Sequence, residues 1–127
     1  LFDGVLIKEN HLAAAGGVGP AVAAAKEAVH HLVRVQVEVE TLEELDQAVA
    51  AGADAVLLDH FSVEQTEAAV ARVRQARPEV WVEASGDMTP QTIAARVDTG
   101  LDAVSMGGLI HQARWADLSL RLSLSAG

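Results

Sequence analysis

Short apolar runs and amphipathic stretches alternate along the chain in a β/α rhythm. Gly4 to Lys8 (GVLIK) is an apolar run closed by a lysine, the pattern of a strand buried on both faces. ENHLAAAGG follows as a loop, punctuated by Gly16, Gly17 and Gly19. Pro20 then suits the first turn of a helix, AVAAAKEAVHHL, whose alanines favour helix and allow close packing on a sheet. In the next strand Val35, Val37 and Val39 alternate with Gln36, Glu38 and Glu40. Period two puts the valines on one face and the polar side chains on the other. Such a polar face either meets solvent or lines a polar interior, such as a barrel mouth.

Thr41 with Glu44 forms a T-x-x-E capping box that opens a helix with Leu42, Leu45 and Val49 on its apolar stripe and Gly52 at its end. AVLLD (55–59) is the third strand. Ser62 with Gln65 makes a second capping box, for a helix that buries Val63, Val70 and Val73 and stops before Pro78. VWVEAS is the fourth strand, broken by Gly86. Thr89-Pro90 starts another helix, with Ile93 and Val97 on its stripe and Gly100 at its end, before the fifth strand, AVSMG, closes on Gly107-Gly108. Beyond it, LIHQARWADLSLRLSL predicts a helical turn and a sixth strand, Leu118 to Leu124.

The pattern Gly-x-Asp-Ala-Val occurs at 52–56 and again at 100–104, a spacing of two β/α units of roughly 24 residues each. Asp54 and Asp102 are read as structural, turning the chain from helix into strand. Five strands, or six, fall short of the eight of a standard barrel. The pattern therefore predicts a partial barrel or an open sheet, with edges that need covering.

Composition narrows the function classes. Half of the 127 residues are hydrophobic but only 3% aromatic, so the core must be built from Val, Leu, Ile and Ala. A net charge of −9 argues against a nucleic-acid surface. The absence of Cys excludes disulfides and thiolate metal sites. No apolar run of about 18 residues and no charged-then-apolar leader is visible, so neither a membrane partner nor a signal peptide is expected, and the expected location is cytoplasmic. The first residues, LFDGVLIK, lack a Met and enter a strand at once, which suggests a chain cut inside a domain.

Strands joined by helical crossovers run parallel and finish on one rim, where α/β folds place their chemistry. Lys8, Glu38, Asp59, Ser85-Gly86 and Gly107-Gly108 all follow apolar strand cores at that rim. Glycine turns let backbone N–H groups approach an anion, and two carboxylates hold Mg²⁺ or sugar hydroxyls. The combination points to a phosphorylated sugar. Each piece also has a plainer reading. Lys8 serves equally as a rim lysine and Asp59 as a helix N-terminal acid. Periodicity does not choose between Glu38 and Glu40. His11, His30, His31, His60 and His111 lack metal-ligand spacing, and His30 and His31, adjacent on a helix, read as surface residues. Met88, Met106 and both tryptophans read as packing residues.

DGVLIKENH, VEVETLEEL, AGADAVLLDHF, VEASGDMT and TGLDAVSMGGLIHQARWADLSL, in this order, resemble the quinolinate phosphoribosyltransferase family (carboxylating nicotinate-nucleotide pyrophosphorylases) over essentially the whole chain. The resemblance implies that residues 1–127 are the C-terminal segment, with five to six strands, of a TIM-like incomplete β/α barrel that follows a separate N-terminal domain. It implies transfer of phosphoribose from phosphoribosyl pyrophosphate to quinolinate with decarboxylation, giving nicotinate mononucleotide, with Mg²⁺ as cofactor and a homodimer or higher assembly. By that resemblance Lys8 binds a quinolinate carboxylate, and Glu38 and Asp59 lie near the ribose hydroxyls and Mg²⁺. Ser85, Gly86 and Asp87 fall on the phosphate-contacting turn, Gly107-Gly108 on the second glycine turn, and His111 just beyond it. The chain departs from the family pattern at His60, usually Asn, and at Asp87, usually Gly or Asn. An acid at 87 facing phosphate would repel it, so Asp87 either points away or weakens binding. The family's upstream Arg- and His-rich motifs are not in this sequence, so the polypeptide alone is expected to be inactive. A related phosphoribosyltransferase of other specificity, or a non-catalytic phosphate-ligand-binding domain, are the alternatives.

Overall fold

The computed structural model describes residues 4–107 and 119–122. Five parallel strands, β1 (Gly4–Ile7), β2 (Arg34–Val39), β3 (Ala55–Asp59), β4 (Trp81–Ser85) and β5 (Ala103–Val104), form one sheet in the order β1-β2-β3-β4-β5. The helices are α1 (Glu9–Ala15), α2 (Val18–Ala28), α3 (Leu42–Ala50), α4 (Val63–Ala76) and α5 (Pro90–Ala94). Strand order follows chain order without the reversal of a doubly wound sheet, as a segment of a β/α barrel requires.

The core lies between the sheet and its helices. Val35, Val37, Val39, Val56, Leu58 and Val82 pack against Val22, Leu45, Ala48, Ala69 and Val73, all fully buried. Burial of each such Val or Leu side chain contributes about 1.5–3 kcal/mol. Alternation then puts Leu6, Gln36, Glu38, Leu57 and Glu83 on the opposite face. Glu38, Leu57 and Glu83 share one row across three strands. The polar face of β2 is thus the barrel-interior side of the sheet.

The repeated Gly-x-Asp-Ala-Val has a structural cause, as expected. Asp54 N donates to Val35 O at 2.9 Å, and Val35 N returns a bond to the Asp54 carboxylate at 2.8 Å. Asp102 does the same with Val82, at 2.9 and 2.7 Å. Each carboxylate is also held from the helix side, by Lys26 and by Arg74 respectively. Both clamps sit at the amino-terminal ends of β2 and β4, on the rim opposite the candidate site.

Several local expectations are corrected. ENHLAAA is helix α1, not loop: the Lys8 carbonyl accepts from His11 N and Leu12 N, the His11 ring accepts from Lys8 N, and Gly16 closes the helix at φ 83°. α2 ends at Ala28, so His30 and His31 lie beyond it. Thr41 caps α3 through Glu44 N, but the Glu44 carboxylate reaches back to Glu40 N rather than to Thr41, so the box is not reciprocal. The Ser62–Gln65 box is reciprocal, and α4 buries Thr66, Ala69, Val70 and Val73 while Val63 is only half-buried. α5 spans five residues, followed by a 3₁₀ turn at Val97–Thr99. Arg96 Nη1 takes the Thr92 carbonyl and Thr99 Oγ1 takes the Arg96 carbonyl, which tightens the chain and leaves Val97 72% exposed. β1, at the edge of the described sheet, buries only Ile7 fully, and Trp81 is 41% exposed rather than packed. The predicted sixth strand lies mostly outside the described residues, and 119–122 are not in a strand. Among the described residues no helix is long and apolar enough to cross a membrane.

Candidate active site

Lys8 leaves β1 as the first residue at the carboxyl-terminal rim. The bonds that start α1 fix its backbone, and its side chain turns across to β2. Its ammonium lies 2.6 Å from Glu38 Oε2, with the Lys8 side chain 47% exposed and that of Glu38 11%. The hydrogen bond to Glu38 raises the Lys8 pKa; partial burial opposes this, and the charges of Glu38, Glu9 and Asp59 add to it. Glu40, by contrast, uses its backbone N–H to bind Glu44. Of the two acids left open by periodicity, Glu38 in β2 is the one whose carboxylate pairs with Lys8, and Glu40 lies one residue beyond the strand.

Asp59 ends β3 directly opposite Ser85 on β4. Ser85 Oγ donates to Asp59 Oδ1 at 2.9 Å, and the His60 ring nitrogen Nδ1 lies 2.8 Å from Oδ2. Both carboxylate oxygens are thus engaged, and the cap of the next helix is Ser62. Asp59 consequently does not serve as the α4 cap. His60 holds a left-handed φ of 56°, and its N–H donates to Ser85 O at 3.2 Å. The hydrogen bond and charge of Asp59 raise its pKa against slight burial, with smaller contributions from Asp87 and Glu40. Gly86 follows at φ 110°, and a Cβ there would stand 3.0–3.2 Å from the His60 ring and backbone. Glycine is required at 86 both by conformation and by this close approach.

A cavity of about 190 Å³ opens beside this turn, lined by His60, Phe61, Ser85, Asp87, Met88 and Arg96. Asp87 thus faces a space that also holds two basic side chains. Arg96, two residues beyond α5, reaches the β3–α4 loop, donating to Phe61 O at 2.7 Å, and its buried Nε has no hydrogen-bond partner among the described residues. Sequence reasoning missed Arg96 because residues 89–100 carried a plain helical pattern. It also missed Glu83, one layer below Ser85, which accepts from Gln36 at 3.0 Å and from Ser105 Oγ. Period-two counting back from Ser85 would have found it. Gly107 has no left-handed φ and open space around its Cα. Gly108 and His111 lie outside the described residues.

The rim thus brings together two acid-centred clusters on adjacent strands, Lys8–Glu38 and Ser85–Asp59–His60. Among the described residues no group of three or more His, Cys, Asp or Glu side chains is arranged to enclose a metal. This donor set fits Mg²⁺ held through water and substrate oxygens, since that ion usually takes only one or two protein carboxylates.

Residues 1–121 match the family model described as the C-terminal domain of quinolinate phosphoribosyl transferase. The chain is 38% identical to the probable carboxylating nicotinate-nucleotide pyrophosphorylase of Bacillus subtilis over 98% of its own length and 42% of the relative's. It is 42% identical to the human carboxylating nicotinate-nucleotide pyrophosphorylase, covering 93% of this chain and 40% of that one. The solved nicotinate-nucleotide pyrophosphorylase of Francisella tularensis superposes with a TM-score of 0.76 at 46% identity, over 86% of this chain and 38% of that one. The chain therefore spans about two-fifths of the length of these relatives. With its single-order parallel sheet and acid-lined rim, it belongs to the quinolinate phosphoribosyltransferase family, of which it matches the C-terminal domain.

Proposed function

We propose that the chain supplies the phosphoribosyl-binding rim of an enzyme that joins quinolinate to phosphoribosyl pyrophosphate with loss of pyrophosphate and carbon dioxide. The observation that carries this reading is the placement of Glu38 and Asp59 at neighbouring strand ends, each fixed by partners on an adjacent strand. The pyridine nitrogen attacks the anomeric carbon as the bond to the pyrophosphate oxygen breaks, and positive charge develops on the ribose ring. Two fixed carboxylates, already oriented, stabilise that charge with little reorganisation. Lys8, whose ammonium stays charged at neutral pH, takes a carboxylate of quinolinate. Ser85, Gly86 and Asp87 form the turn beside the phosphate, and the family resemblance assigns Gly107, Gly108 and His111 to the same task, the last two lying outside the described residues. The 2-carboxylate then leaves as carbon dioxide and the ring carbon takes up a proton, giving nicotinate mononucleotide. When bound, Mg²⁺ offsets the charge of the departing pyrophosphate, with Glu38 and Asp59 holding it through water. A cytoplasmic location and a homodimer or higher assembly belong to the same reading. Calorimetric titration with phosphoribosyl pyrophosphate tests it: binding that requires Mg²⁺ is expected, and equal affinity in the presence of a chelator would contradict the metal's place in the site.

A further inference from the structure

The segment Leu120–Leu122 lies against α1 through one side chain. Asn10 Nδ2 donates to Leu120 O at 2.8 Å, and Leu122 N donates to Asn10 Oδ1 at 2.7 Å. A side-chain amide carries one acceptor and two donors, so Asn10 reproduces the pair of bonds that a neighbouring strand would make. It joins segments more than a hundred residues apart, and it links the KENH sequence that follows β1 to the LSLRL sequence near the chain end. The two bonds bracket Arg121. Arg121 lines a recess with Glu9, Leu12, Glu38, Glu40 and Glu44 at the same rim as Lys8. Four glutamates surround it, yet among the described residues Arg121 forms no ion pair within 4.0 Å. Its guanidinium donors are thus uncommitted on a rim whose carboxylates would repel an incoming polyphosphate, while the nearby Lys8 is already committed to Glu38.

We propose that Asn10 is a positioning residue that fastens 120–122 across the rim, and that Arg121, so delivered, is a further binding group for the anionic phosphate end of the substrate. Guanidinium suits this task because its planar fork matches phosphate oxygens and its charge does not titrate. The inference rests on the phosphoribosyl reading above and adds a second cation beside Lys8 on the β1–β2 side of the rim, away from the His60 and Arg96 side chains that line the cavity by Ser85.

The test is calorimetric titration of the 127-residue chain with phosphoribosyl pyrophosphate and Mg²⁺, paired with hydrogen exchange at the Leu122 amide. Arg121→Ala is expected to weaken binding about tenfold and Arg121→Lys by less, because the charge is kept. Asn10→Ala should weaken it to the same extent, with the double variant no weaker than either single one. The Leu122 amide should be protected in the wild type and in Arg121→Ala, and exposed in Asn10→Ala. Wild-type binding with an unchanged Arg121→Ala affinity overturns this inference alone. Additive losses in the double variant, or an unprotected Leu122 amide in the wild type, overturn the positioning role of Asn10. Absence of wild-type binding removes the phosphoribosyl reading and this inference with it.

Discussion

At the scale of single residues, the rim depends on how each carboxylate is held. Ser85 Oγ is the hydrogen-bond donor on Asp59 Oδ1, from the opposite strand position. Ser85→Ala is expected to weaken phosphoribosyl pyrophosphate binding several-fold while changing stability by only about 1 kcal/mol, since one partly exposed hydrogen bond is lost. Calorimetry and urea unfolding separate the two effects. Gly86→Ala should behave differently. Its Cβ would meet His60 at 3.0–3.2 Å, and φ 110° is strained for any L side chain, so both stability and binding should fall, the former by about 1–3 kcal/mol. Part of this was legible in the sequence. The Ser-Gly turn and both acids stood at strand ends by pattern alone. The choice of Glu38 over Glu40 was not available from periodicity, because it depends on the reach of Lys8 from the end of β1 to the neighbouring β2. The bracing of Asp59 by His60 was also hidden, since adjacent residues rarely share a face and only the left-handed turn at His60 brings its ring back.

At the scale of elements, the clamp formed by Asp54 ties the start of β3 to β2. Burial, the largest single influence, pushes the Asp54 carboxyl up, but hydrogen bonds from Lys26 and Val35 N–H, with the charges of Lys26 and Arg77, outweigh it and hold the pKa below its ordinary value. A depressed folded-state pKa means the folded protein resists protonation. The associated stability is fully present above about pH 4, the unfolded-state value, and is lost as pH falls through the lower folded value. Asp54→Asn should therefore cost about 1 kcal/mol in urea unfolding at pH 7, a figure discounted for the partial exposure of the pair, and progressively less as the pH falls below about 4. An equal cost above and well below that pH would contradict the electrostatic account. The echo of Gly-x-Asp-Ala-Val announced this element, because a clamp repeated in structure needs the same residues twice. Helices α1 and α5 are less legible in the sequence. Gly16 and Gly17 read as loop punctuation but act as the C-cap of α1 and the N-cap of α2, and the ring of His11 binds the N–H of Lys8, the residue that caps α1. α5 stops early through side-chain bonds of Arg96 and Thr99 that no apolar pattern encodes.

At the scale of the whole molecule, the sheet has helices packed on one face and carries Gln36, Glu38 and Glu83 on the other, with β1 and β5 as its edges. The parallel order followed from the β/α rhythm, whereas the exposure of Trp81 depends on what stands opposite the interior face and no local pattern reports that. The chain spans about two-fifths of its relatives' length. The 127-residue polypeptide is accordingly expected to bind phosphoribosyl pyrophosphate with Mg²⁺ and yet not turn over quinolinate; release of carbon dioxide from labelled quinolinate by this chain alone would show the account to be wrong. The central claim is that Glu38 and Asp59 act together on the phosphoribosyl group, and the most direct measurement is calorimetry of the wild type, Glu38→Ala and Asp59→Ala with phosphoribosyl pyrophosphate and Mg²⁺. Each substitution should weaken binding about tenfold or more, on the order of 1.4 kcal/mol. Wild-type affinity in either variant would contradict the assignment of that carboxylate.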